Sequence, residues 1–394
     1  MNTEKSKRSA YAAIPYLCFF LLLSVWAVIQ PQYTWDLLGY IGASVDSANA
    51  ETIHQVAFGA IKPIAADKDI QPDNPYRADV TANPYHFAEQ MPFYSIKPAY
   101  VLSIRGFHRL GLSFPKSAVA SSAVSNFLLA LLLLLWLAPY LSGLPLVGTC
   151  TLIMLTPNIL GLARWATPDC LATFVAALGM YLILERRLYF WGCSLLVLNV
   201  WVRTDALVLA GIVFALLLVR SKLDLPQFTS LSLLSLASYF AINHFAGNYG
   251  WPALFYNSFL GGLTTPGETL IHISRSAYVH QVVRGAYLWL ISGSFALYLL
   301  LGGLAVWLNR SSLYSDMIVA ILATRALCYA LYPNGDQRYT AVLFVVVPVA
   351  LVIGVRLSSL DGSAADRLTV ESSDGRVAAA PLRTGAAISE AIAR

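Results

Sequence analysis

Apolar residues run along this chain in blocks of membrane-spanning length, separated by short polar breaks and one long polar segment. At about 20 residues per crossing, blocks lie near 11–30, 117–140, 145–163, 169–184, 189–203, 205–219, 228–246, 285–307, 313–332 and 339–357. The expected fold is therefore an all-α polytopic membrane protein with about ten transmembrane helices. Residues 189–219 are too long for one straight span and short for two. A single crossing would drop Arg203 and Asp205 into mid-membrane at about 2.5–3.5 kcal/mol each. Two short spans meeting at WVRTDAL avoid that cost and are the expectation.

Charge then sets sidedness. Lys5, Lys7 and Arg8, Glu185-Arg186-Arg187, Arg220 and Lys222, Arg310 and Arg356 fall at alternate ends of the blocks, as the positive-inside rule asks of a cytoplasmic face. The first block follows a basic segment without a small-residue cleavage pattern, so it reads as a retained signal anchor with a cytoplasmic amino end. Residues 31–116, rich in acids and prolines, become a structured outer loop; Asp46–Ala60 has helical apolar spacing, and 96–114 is amphipathic, both suited to lie on the bilayer surface. Residues 247–283 form a second outer loop. Residues 1–357 make one transmembrane domain, and the Ser/Ala/Gly/Asp-rich tail 358–394 is expected to be disordered and cytoplasmic.

Composition agrees: 57% of the 394 residues are apolar and 12% charged, outside the ordinary soluble balance. The net charge of +5 is segregated along the chain, with no basic patch for nucleic acid. Five cysteines without a C-x-x-C pair indicate neither a disulfide framework nor a zinc site. No two histidines stand at the helical i, i+4 spacing of a hydrolytic metal site, and phosphate-loop, dinucleotide and serine-hydrolase motifs are absent.

The candidate chemistry lies in charges at the outward ends of the blocks. Asp36, in QYTWDLLGYIG, is either an interfacial acid beside an anchoring Trp35 or the first piece of a site. ARWATPDCLATF supplies Arg164 and Asp169; Thr167, Pro168 and Asp169 also make an ordinary helix start, which leaves Arg164 unexplained. VRTDAL supplies Arg203 and Asp205, as a hairpin ion pair or as functional groups. LYPNGDQRYTAVLF holds a polar turn followed by Arg338 and Tyr339, and Arg325 lies deep in the preceding block, where it must meet a partner or a wet cavity.

Taken in order, a first span followed by an aspartate in a long outer loop, then IKPAYVL, TPDCLATF, VRTDALVLA and a final outer Arg-Tyr, the chain resembles the GT-C superfamily of membrane glycosyltransferases over about residues 10–357. The resemblance implies a polyprenyl-phosphate sugar as donor, with a glycan, lipid or protein of the envelope as acceptor. It implies a bacterial inner-membrane location with the site on the periplasmic or extracellular side. It casts Asp36 as the general base on the acceptor hydroxyl. Arg338, Arg203 and Arg164 become candidates for the leaving phosphate, and Asp169, Asp205, Tyr339 and Arg325 their supports. Trp251, Tyr249 and His244, in an outer stretch mixing aromatics with amides, are candidate sugar or acceptor contacts. The family's second loop acid has no counterpart at the family spacing, since WDLL carries one acid, so no metal and no cofactor are expected. A transporter and a non-catalytic assembly partner of the same fold remain the alternatives.

Overall fold

The computed structural model describes residues 2–64, 70–291, 294–310, 312–334, 336, 338 and 341–373. Among the described residues the chain is helical throughout, with one isolated bridge, Gln32 to Trp165, in place of any sheet. A long α1 (Asn2–Ile29) leads into the segment expected to form the outer loop, which holds six shorter α-helices. These are α2 (Asp36–Ser44), α3 (Ala50–Ile61), α4 (Pro75–Ala82), α5 (Pro84–Ala88), α6 (Met91–Ser95) and α7 (Pro98–Arg109). The bundle continues with α8 (Phe114–Leu137), α9 (Leu144–Met154), α10 (Pro157–Arg164), α11 (Asp169–Leu184), α12 (Tyr189–Val202), α13 (Ala206–Val219) and α14 (Leu225–Phe245). Then come α15 (Trp251–Phe259), α16 (Arg275–Ile291), α17 (Ser294–Leu308), α18 (Leu313–Leu331) and α19 (Leu343–Ser373).

Three of these helices, α8, α14 and α18, are long and apolar enough to cross a membrane, and α9 with α10 adds a fourth if the pair is one bent span. Shorter apolar helices lie at Ala13–Ile29, Asp169–Leu184, Tyr189–Val202, Ala206–Val219, Phe295–Leu308 and Leu343–Ser358. Large apolar side chains such as Leu22, Leu152, Phe240 and Leu300 face outward, a surface suited to lipid rather than water.

Several boundaries differ from expectation for identifiable reasons. The block 145–163 is broken by 67° between α9 and α10, because Pro157 has no N–H to continue the helix and starts a new one at its first turn. The block expected at 285–307 is two helices, the first beginning ten residues earlier at Arg275, so it extends into the second outer loop. The helix expected from Asp46 begins at Ala50, where Asn49 caps it by accepting from the Thr52 N–H. Helix α19 runs on through Ser373, into the segment expected to be disordered; residues 374–394 lie outside the described residues. Residues 189–219 form two helices that break at Arg203-Thr204-Asp205.

The outer segment has a core of its own. Leu37, Leu38, Ile41, Ile53, Val80, Phe87, Tyr100 and Ile104 pack together and continue onto Ala118 and Val119 at the start of α8. Helix α2 is the pivot of this layer. Glycine at 39 lets the Tyr94 ring lie on its backbone, where a Cβ would stand 2.2 Å from Cε2. With Leu37, Leu38 and Ile41 buried beneath it, the first residue of α2, Asp36, is fixed in place.

Candidate active site

Most of the candidate side chains stand at helix ends. Asp36 opens α2 and Asp169 opens α11, where a carboxylate is favoured by the helix dipole. Arg203 is the extended residue that ends α12, and Asp205 immediately precedes α13. Arg338 stands in the turn between α18 and α19. Residues separated by up to three hundred positions thereby meet around one cavity of about 160 Å³, lined by Asp36, Lys97, Asp169, Arg203 and Arg338 together with Tyr40, Tyr94 and Tyr332. A second cavity of about 90 Å³ lies among α11, α12, α13 and α18 and shares Asp169, Arg203 and Arg338 with the first; Asn199 and Arg325 line it more deeply.

The charges form a ladder. Arg203 grips Asp205 with two parallel bonds, Nε to Oδ1 at 3.0 Å and Nη2 to Oδ2 at 2.8 Å, and its Nη1 donates to Asp169. Arg338 reaches three carboxylates: Asp336 at 2.8 Å, Asp36 at 3.6 Å and Asp169 at 3.8 Å. The two aspartates at the centre differ in kind. Asp169 is 3% exposed and clasped by Arg203, whereas the Asp36 side chain is 36% exposed and holds its arginine at longer range. Asp169 is thus a fixed counter-ion, and Asp36 is the more accessible of the two carboxylates that line the cavity.

Lys97, just ahead of Pro98 at the start of α7, brings a further cation. Its Nζ donates to the Phe93 carbonyl at 2.9 Å and lies 5.4 Å and 5.7 Å from the Tyr40 and Tyr94 rings. Burial lowers its pKa from 10.5 to about 8, against the opposing pull of Asp36 and with the help of Arg203. Burial, and after it the Asp36 charge, raises the phenols of Tyr40 and Tyr94 well above the ordinary value, so both stand as hydrogen-bond donors. The sign for Lys97 follows: the cavity loses one positive charge as pH rises through about 8. Anion-dependent activity is expected to fall above that pH, and Lys97→Arg, which stays charged, should flatten the alkaline limb of a profile taken from pH 7 to 9.5. An unchanged limb would remove Lys97 from the binding of anions.

The remaining sequence candidates lie elsewhere. Arg164 is structural: its Nε donates to the Gln30 carbonyl at 2.9 Å and its guanidinium stacks 4.7 Å over Trp26, tying the end of α10 to the exit of α1. These contacts account for its place in an apolar run, and it lines neither cavity. His244 is exposed in the last turn of α14 beside Phe245, away from both cavities. Trp251 donates from Nε1 to the Leu331 carbonyl at 2.5 Å, so it caps the end of α18. Tyr249 donates to Glu89 at 2.9 Å and packs edge-on against Phe93, one shell behind the cavity wall. Tyr339 lies outside the described residues. Arg325 is 5% exposed and lines the deeper cavity. Thr167, expected to cap α11, makes no such bond; its carbonyl accepts from Ser122 instead.

Sequence reasoning missed Lys97, Tyr40, Tyr94, Tyr332, Asn257 and Ser258 as cavity residues. Among the described residues no group of three or more His, Cys, Asp or Glu side chains is arranged to hold a metal ion. The chain matches no protein-family model, no curated protein and no solved structure.

Proposed function

We propose that the protein is a membrane glycosyltransferase of the GT-C kind, moving a sugar from a polyprenyl-phosphate donor to an envelope acceptor at the outer face of a bacterial plasma membrane. The observation that carries this is the convergence of Asp36, Asp169, Arg203 and Arg338 on one cavity at helix ends, a pairing of one accessible carboxylate with fixed cations. The acceptor hydroxyl attacks the anomeric carbon while its proton passes to Asp36. The bond from that carbon to the phosphate oxygen breaks, and the bonding pair leaves with the lipid phosphate, whose growing charge Arg338 and Lys97 offset. A single displacement inverts the anomeric centre.

The topology that goes with this function has ten crossings, with α9 and α10 as one bent span and the six shorter apolar helices crossing through thinned bilayer or with flanking residues that snorkel. An impermeant thiol reagent is expected to label Leu110→Cys and Leu270→Cys in intact cells, both positions being more than four-fifths exposed. It should reach Ser221→Cys, in the turn between α13 and α14, only after the membrane is opened. Labelling of all three from one side would overturn the sidedness.

A transporter draws its support from the deeper cavity, which carries Arg325 and Asn199 in among the helices. Purified protein in vesicles with polyprenyl-phosphate sugars separates the two: sugar on the acceptor supports transfer, and movement across the bilayer without transfer supports transport.

A further inference from the structure

We propose that Arg325 is a positioning residue that acts through Asn334 and Asp336 and so sets where the Arg338 guanidinium stands; this rests on the function proposed above. Arg325 is a buried cation within α18, where an arginine is costly unless it is held by a specific partner. Its Nη2 donates to the carbonyl of Asn334 at 2.6 Å, nine residues on, so it reaches past the end of its own helix to hold the turn that follows. From that carbonyl the turn is braced by its own side chains. Asn334 Oδ1 accepts from the Asp336 N–H at 2.9 Å, and Asp336 Oδ1 accepts from the Arg338 N–H at 3.0 Å. Asp336 then pairs with the Arg338 side chain at 2.8 Å. An unbroken set of contacts therefore runs from Arg325 to Arg338.

The ground beneath the turn is also prepared. A Cβ at Gly285 of α16 would stand 2.3 Å from the Pro333 carbonyl oxygen, so glycine there lets the turn settle directly on the helix backbone. The last carbonyls of α18 are capped from the second outer loop and α16, Leu331 by Trp251 and Ala330 by the Tyr278 hydroxyl, and Tyr332 donates to Ser258 at 2.9 Å. These contacts fix the near end of the turn. Arg325 holds the Asn334 carbonyl, next to the residues that aim Arg338 at Asp36 and Asp169.

Amide hydrogen exchange on the full chain in detergent tests this without any assay of transfer. Arg325→Gln, too short to reach the Asn334 carbonyl, should speed exchange of a 332–338 peptide by about tenfold or more while α18 peptides from 313–324 keep their protection. Arg325→Lys, which keeps a donor on a long stem, should return much of the protection. In the transfer assay Arg325→Gln should lower kcat by about 10²-fold, as small misplacements of a reacting group do. The donor KM should stay within about threefold. In an Arg338→Gln background the same substitution should have little further effect on kcat, because the residue it positions is gone. Unchanged exchange in the turn, or faster exchange spread evenly along α18, would overturn the positioning role. A wild type that shows no transfer would remove the proposed reaction, and the exchange result would still decide the role of Arg325.

Discussion

Asp36→Asn is expected to abolish sugar transfer while leaving the fold and the donor affinity close to wild type. A positioned carboxylate that takes the acceptor proton as the new bond forms contributes about 10²–10⁴-fold, and an amide of the same shape accepts no proton. The stability of the variant follows from the geometry. Asp36 is over a third exposed and holds Arg338 at 3.6 Å, whereas Asp336 holds the same guanidinium at 2.8 Å. An exposed, long-range pair of this sort contributes about 0–1 kcal/mol. The loss should therefore appear in kcat, with the thermal midpoint unmoved. Full activity in Asp36→Asn would rule the residue out as base.

The second large effect is on stability. Arg203→Gln is expected to cost about 3–5 kcal/mol, because it takes the close partner from the Asp169 carboxylate, which is 3% exposed and has Arg338 at the longer distance of 3.8 Å. The same substitution strips Asp205 of both of its parallel bonds. Thermal unfolding in detergent should register a fall of about 5 °C. Adding Asp169→Asn should recover much of it, since the buried charge is removed with its partner. A double variant as unstable as the single one would mean that Arg203 is held for another reason. The contrast between the two aspartates is the useful outcome: a variant of Asp36 should lose chemistry, and a variant that unpairs Asp169 should lose the fold.

The charged half of the site was legible in the sequence because ionisable groups are scarce in apolar stretches and conspicuous when present. Asp36, Asp169, Arg203 and Arg338 were each ambiguous alone, as a cap, an ion pair or a turn residue, and the structure makes several of them both. Arg203 and Asp205 are a hairpin ion pair and also cavity wall. The uncharged half was not legible. Tyr40, Tyr94 and Tyr332 look like any aromatics near a membrane surface, and only the fold brings Asn257 and Ser258 opposite them. The contacts of Arg164 were not legible either, because a backbone carbonyl and a tryptophan face can hold an arginine as a ligand would. The break at Pro157 was passed over because the run 145–163 carries no charge, and hydropathy registers length and not direction. Helix α2 was missed because its nine residues are too few to show a period, and it is held by tertiary packing on Leu37, Leu38 and Ile41.

Tyr94, seated on the bare backbone of Gly39, links two positions that no local pattern would connect. A methyl at 39 cannot be accepted without moving a ring that also walls the cavity, so the pair is free to change only in concert: a larger residue at 39 demands a smaller one at 94. Among divergent chains of this architecture, the two positions should therefore covary. The matched sizes at 39 and 94, rather than either residue alone, are then what such chains should hold in common.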